Sequence, residues 1–127
     1  MQKRRILVVD DEPAFTRFVK AALEETGAYE VRGEVDAGQA LGTAKAFKPD
    51  LVFMDVMIPP MEGGEVAAQF QADSDLKEVP VIFLTGAVTQ AEVSQGGGLI
   101  GGRPFLAKPV TPANLVATIE RYFPLKG

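Results

Sequence analysis

The chain has 127 residues, 46% hydrophobic and 24% charged, with a formal net charge of −4 and neither cysteine nor histidine. Disulfides, zinc-thiolate sites and thiol catalysis are therefore excluded, as are a histidine general base and a phosphohistidine of the chain's own. The length suits one domain spanning residues 1–127, no apolar run approaches the ~20 residues of a membrane-spanning helix, and the acidic balance argues against direct contact with nucleic acid.

Met1-Gln2-Lys3-Arg4-Arg5 leads straight into a short apolar strand, Arg5 to Val9, that ends in Asp10-Asp11. No signal-peptide pattern precedes it, and a cytoplasmic location is expected. Pro13 suits a helix N1 position. Phe15, Phe18, Val19, Ala22 and Leu23 then recur at helical spacing until Gly27 and are read as a core stripe. Tyr29, Val31, Gly33 and Val35 alternate with charged residues, which predicts a half-exposed strand at or near a sheet edge.

Ala37, Ala40, Leu41, Ala44 and Phe47 form a second helical stripe, closed by Pro49-Asp50. Leu51 to Asp55 reads as a buried central strand with an acid at its carboxyl end, followed by a loop over residues 58–64. A third helix carries Val66, Ala67 and Phe70, and a fourth strand runs from Val81 to Leu84 and finishes at Thr85-Gly86. Five glycines between residues 96 and 102 fall where a fourth helix should be, so a helix is predicted only from about Thr89 to Gln95. Phe105 to Ala107 is the fifth strand. Thr111 as N-cap and Pro112 at N1 start a last helix with Leu115, Val116, Ile119 and Tyr122 or Phe123 facing inward. This alternation predicts an α/β fold, a parallel sheet covered by helices on both faces.

In such sheets the site lies beyond the carboxyl ends of the strands, and the polar residues follow that rule: Asp10 and Asp11, Asp55, Thr85 and Lys108 each close a strand. Clustered carboxylates repel unless a cation neutralises them, and an oxygen-only ligand set favours Mg²⁺, with Mn²⁺ as a substitute. Asp55 could then attack a phosphorus atom to give an aspartyl phosphate, with Lys108 and the Thr85 hydroxyl on phosphoryl oxygens.

Ile6-Leu7-Val8-Val9-Asp10-Asp11-Glu12-Pro13, Met54-Asp55-Val56-Met57-Ile58-Pro59 through Gly63, Thr85-Gly86 and Lys108-Pro109 together resemble the response-regulator receiver family across essentially the whole chain. The resemblance implies a flavodoxin-like, doubly wound (βα)5 fold with strand order 2-1-3-4-5. It implies Asp55 as phosphoacceptor, with Asp11, Asp55 and the Met57 carbonyl binding Mg²⁺ and Asp10 acting through water. It further implies a cis peptide before Pro109, and Phe105 as a switch aromatic that moves when Thr85 is drawn toward the phosphate, with Gly86 leaving room. The implied partners are a histidine kinase or histidine phosphotransfer protein in trans and a downstream protein or attached output domain. Met57 is bulky where it would flank the phosphoryl group, which suggests shielding from hydrolysis.

Each residue alone has a plainer reading: an acid pair as helix cap, Thr85 as a β-branched strand end, Lys108 as a surface charge, Phe105 as core. Three alternatives compete for the function. One is a phosphorylation-independent docking module of the same fold. An aspartyl phosphatase would need an acid where Met57 stands, and a flavodoxin-like nucleotide or flavin binder would need a glycine-rich loop after the first strand.

Overall fold

Strictly apolar strands need cover on both faces, and the chain supplies it. The computed structural model describes residues 3–58, 61–85, 99–100 and 103–123, with side chains at all of these except 57–58, 61–64, 85, 99–100 and 103–104. In chain order these form β1 (Arg4–Val9), α1 (Pro13–Glu24), β2 (Tyr29–Glu34), α2 (Ala37–Phe47), β3 (Leu51–Asp55), β4 (Met57–Ile58), β5 (Met61–Glu62) and α3 (Gly63–Ala72). Then come β6 (Val81–Thr85), β7 (Leu99–Ile100), β8 (Arg103–Ala107) and α4 (Pro112–Tyr122). The main sheet runs β2-β1-β3-β6-β8-β7. Its first five strands are parallel, which is the predicted 2-1-3-4-5 order with β2 at one edge.

Successive strand residues point to opposite faces, and the core divides accordingly. Leu7, Val9, Val52, Met54, Val81 and Phe83 pack with Ala40, Ala44 and Phe47 of α2 and with Val66, Ala67 and Phe70 of α3. Ile6, Val8, Leu51, Phe53, Ile82 and Leu84 pack with Val19 and Leu23 of α1 and with Leu115 and Ile119 of α4. The last helix starts as its sequence dictates, with the Thr111 hydroxyl accepting from the Asn114 amide at 3.1 Å and Pro112 in the first turn.

Several local expectations are corrected. Phe18 is not core: it is 40% exposed, and the buried line of α1 runs Thr16, Val19, Leu23. One position along a helix turns a side chain by about 100°, enough to carry Phe18 off that line. The stretch after Asp55 is not simply a loop, because β4 and β5 pair antiparallel, Met57 with Glu62 and Ile58 with Met61, and α3 starts at Gly63. The fifth strand begins two residues early, at Arg103, where it gains an antiparallel partner in β7, Leu99 opposite Pro104 and Ile100 opposite Arg103. At the end of α4, Phe123 packs on the core while Tyr122 stays 39% exposed. The helix predicted over residues 89–95 lies outside the described residues.

Two backbone positions carry stability predictions of opposite sign. A Cβ at Gly33 would stand 2.8 Å from the Thr16 Cβ, so β2 and α1 meet at a distance only glycine permits. Gly33→Ala should cost about 1–3 kcal/mol, read as a lower denaturant midpoint; an unchanged midpoint would mean that α1 can slide away freely. Helix α2 ends not on Pro49 alone but on Lys48, held left-handed at φ 57° with its amide donating to the Ala44 carbonyl at 2.8 Å. A non-glycine residue is strained there, and Lys48→Gly should stabilise by up to about 1 kcal/mol, seen as a thermal midpoint a few degrees higher.

Candidate functional site

Parallel strands in register deliver their last residues to one edge of the sheet. Val9 lies opposite Met54, so Asp10 and Asp55 are the next residues out on neighbouring strands. Asp55 lies opposite Leu84 on β6, and Thr85 lies opposite Ala107 on β8, which brings Lys108 to the same rim. The four elements β1, β3, β6 and β8 thus converge on a single acidic cleft.

Asp10 is fully buried and Asp55 is 8% exposed, while Asp11 is exposed; one carboxylate oxygen from each lies within 4.8 Å of the others. Like charges at that spacing repel by roughly 3 kcal/mol at an effective dielectric constant near 20, less at exposed Asp11. The Lys108 ammonium sits among them, donating to Asp10 Oδ2 at 2.6 Å and to Asp55 Oδ2 at 3.3 Å. Asp10 Oδ1 accepts from the Glu12 amide at 2.9 Å, and the Asp10 amide donates to the Glu34 carbonyl at 3.0 Å. Both ends of Asp10 are therefore fixed by backbone or lysine.

Burial pushes the Asp10 carboxyl above the usual aspartate range despite the opposing bonds from Lys108 and the Glu12 amide. Burial by itself would lower Lys108. The hydrogen bond and charge of Asp10, then of Asp55, outweigh it and hold the ammonium charged more firmly than a solvated lysine. One cation facing three carboxylates leaves a net negative cleft, and oxygen donors without nitrogen or sulfur suit a hard divalent ion. The residues present fit Mg²⁺.

The peptide before Pro109 is cis, as the resemblance implied. Phe105 is 7% exposed and packed with Val81 and Phe83 on the face that α2 and α3 cover. The Thr85 backbone closes β6 at the cleft, and Met57 begins β4, which follows Asp55 and Val56 in the chain. The expectations for the Thr85 hydroxyl, the Met57 side chain and Gly86 lie outside the described residues and side chains. One contact has no signature in the sequence: the Lys108 ammonium lies 4.4 Å from the centre of the Phe15 ring. Helical spacing marks Phe15 only as part of a core stripe.

Comparison with known proteins agrees with this geometry. The profile of the response regulator receiver domain matches residues 6–120. The chain is 34% identical over 118 residues to the DNA-binding response regulator MtrA of Mycolicibacterium smegmatis, covering 93% of this chain and 50% of MtrA. It is 33% identical over 116 residues to protein PilH of Pseudomonas aeruginosa, covering 91% of this chain and 94% of PilH. The chain spans about half the length of several curated relatives that it matches. Among solved structures, the receiver domain of the sensor histidine kinase PA1611 of Pseudomonas aeruginosa, with a magnesium ion coordinated in its active-site cleft, superposes with a TM-score of 0.78. That match is 28% identical and covers 95% of this chain and 98% of the other. Sheet order, acid cluster and profile lead to one conclusion, that the chain belongs to the receiver domain family of two-component response regulators.

Proposed function

We propose that this chain is a phosphorylation-switched receiver: Asp55 accepts a phosphoryl group from a histidine kinase or histidine phosphotransfer protein, and the resulting change controls a downstream partner or an attached output domain. The observation that carries this reading is the packing of the Asp10, Asp11 and Asp55 carboxylates within 4.8 Å of one another, with the Lys108 ammonium on two of them.

In the transfer a carboxylate oxygen of Asp55 forms the new P–O bond while the P–N bond of a donor phosphohistidine breaks, the imidazole leaving with the bonding electron pair. Asp11, Asp55 and the Met57 carbonyl, with Asp10 through water, would hold Mg²⁺ or Mn²⁺, which offsets charge on the phosphoryl oxygens. Lys108 supplies the second positive charge; its longer bond, to Asp55, is the one easily exchanged for a phosphoryl oxygen, while the shorter one keeps it on Asp10. Asp10 thus acts as the anchor of Lys108 as well as part of the acid cluster. Thr85 would donate to another phosphoryl oxygen, and that pull would be relayed to Phe105. Met57 would shield the phosphoryl group from water.

The partner is a protein rather than a nucleic acid in this reading, and the site of action is the cytoplasm, where a kinase can reach it. No described helix is long and apolar enough to cross a membrane. Incubation of the purified chain with Mg²⁺ and a small-molecule phosphodonor should add one phosphoryl group to its intact mass, and chelation of the metal should prevent it. A folded, metal-binding chain that gains nothing would instead favour a phosphorylation-independent docking module, as would equal partner affinity with and without phosphate.

A further inference from the structure

Lys108 is asked to do something a lysine does poorly. Its stem is flexible, its charge is compact and strongly hydrated, and several rotamers would carry the ammonium out of the cleft into water. Two carboxylates hold it from one side, at 2.6 Å and 3.3 Å. On another side lies the Phe15 ring, whose centre is 4.4 Å from the same nitrogen, well inside the ~6 Å over which a ring face attracts a cation. The ring is held in its turn. Phe15 occupies the first turn of α1, its amide donates to the Glu12 carbonyl at 3.0 Å, and the side chain is half-buried against the α1/α4 core and tilted against Phe18 at 6.2 Å.

From this geometry we infer that Phe15 is a positioning residue for the phosphoryl-transfer site, its ring face holding the Lys108 ammonium in the cleft between Asp10 and Asp55. The choice of an aromatic ring has a chemical reason. A carboxylate or amide in that place would take one of the three ammonium N–H donors. A ring face attracts the charge and leaves the N–H groups to oxygens, including a phosphoryl oxygen when it arrives. An aliphatic side chain would fill the same space without attracting the charge. Phe15 and Lys108 line a 470 Å³ cleft together with Glu12, Phe18, Pro109 and Val110.

The role in transfer rests on the proposed receiver chemistry, whereas the contact itself does not, and the test separates them. Wild type, Phe15→Leu, Lys108→Met and the double variant form a cycle, measured by denaturant unfolding in the absence of divalent metal and by the initial rate of phosphorylation from a small-molecule donor with Mg²⁺. Phe15→Leu should lower the folding equilibrium constant about fivefold to tenfold more with Lys108 present than in the Lys108→Met background. It should slow phosphorylation by a similar factor, mainly in the saturated rate rather than in donor affinity. Phe15→Trp, with the stronger ring face, should match or exceed wild type in both readouts, and this series does not depend on the Lys108 variant folding. Equal cost of Phe15→Leu with and without Lys108, or Leu performing as well as Trp, would reduce Phe15 to core packing and overturn the inference. Coupling in unfolding with no phosphorylation of any variant, wild type included, would leave the contact standing and remove the transfer role with the receiver chemistry.

Discussion

Asp55→Asn should reduce phosphoryl incorporation by at least about a thousandfold while leaving the fold intact. The amide keeps the shape of the side chain at the end of β3 but has no charged oxygen to attack phosphorus. Its effect on stability should be small, within about 1 kcal/mol, because two changes oppose each other. The variant loses the 3.3 Å ion pair with Lys108 and also loses repulsion from Asp10 and Asp11 in the 4.8 Å cluster. Intact mass after exposure to a phosphodonor and Mg²⁺ measures the first effect, and the denaturant midpoint measures the second. Labelling at the wild-type rate would move the nucleophile to another group, with Asp10 and Asp11, within 4.8 Å of Asp55, the first candidates.

The sheet is legible in the sequence because its strands are covered on both faces. Leu51 to Met54 admits no polar residue and must lie inside a covered sheet, whereas the alternation of Tyr29, Glu30, Val31 and Arg32 fits only a strand with one wet face, and β2 is the edge. The glycine-rich stretch is harder to read, since glycine weakens a helix without naming a replacement. The β7–β8 pairing depends on tertiary partners, and Pro104, which cannot donate to a ladder, hides the true start of β8. Phe18 misleads for a different reason: a helix with aromatics at adjacent turns offers two candidate stripes, and packing on β2 chooses the one through Thr16.

The site is more legible than the fold details, because strand ends in a parallel sheet are places that sequence can specify. Asp10 and Asp11, Asp55, Thr85 and Lys108 each follow an apolar run, and the register of β1, β3, β6 and β8 makes those four strand ends neighbours. The division of labour among them is not written in the sequence. That Asp10 is wholly buried while its neighbour Asp11 is exposed, and that Lys108 lies closer to Asp10 than to Asp55, depends on side-chain placement at tenths of an ångström.

That asymmetry sets the second large effect, Lys108→Met. Removing one member of a buried ion pair strands the other, at a cost of about 3–5 kcal/mol when no relief exists. Asp10 has partial relief, since the Glu12 amide still donates to Oδ1 and burial already favours its protonated form, so the loss near neutral pH should be about 2–3 kcal/mol. The pH dependence carries a definite sign. With its ammonium gone, the folded-state pKa of Asp10 rises further above the unfolded value, the folded chain binds more protons than the unfolded one in that window, and stability falls as pH rises through it. Acidification from neutrality toward about pH 5 should therefore narrow the gap between variant and wild type. Mg²⁺ should narrow it too, by stabilising the variant more than wild type, because ammonium and metal neutralise the same carboxylates; saturation at a hundredfold excess over Kd is worth about 2.7 kcal/mol. Phosphorylation should stay slow even where Mg²⁺ has restored stability, since charge neutralisation of the cleft does not replace a donor on the phosphoryl oxygen. Unfolding curves with and without Mg²⁺ at two pH values, alongside phosphorylation rates, measure all three. A variant as stable as wild type without metal would show that Asp10 does not depend on Lys108, and a variant phosphorylated at the wild-type rate would remove Lys108 from the transfer.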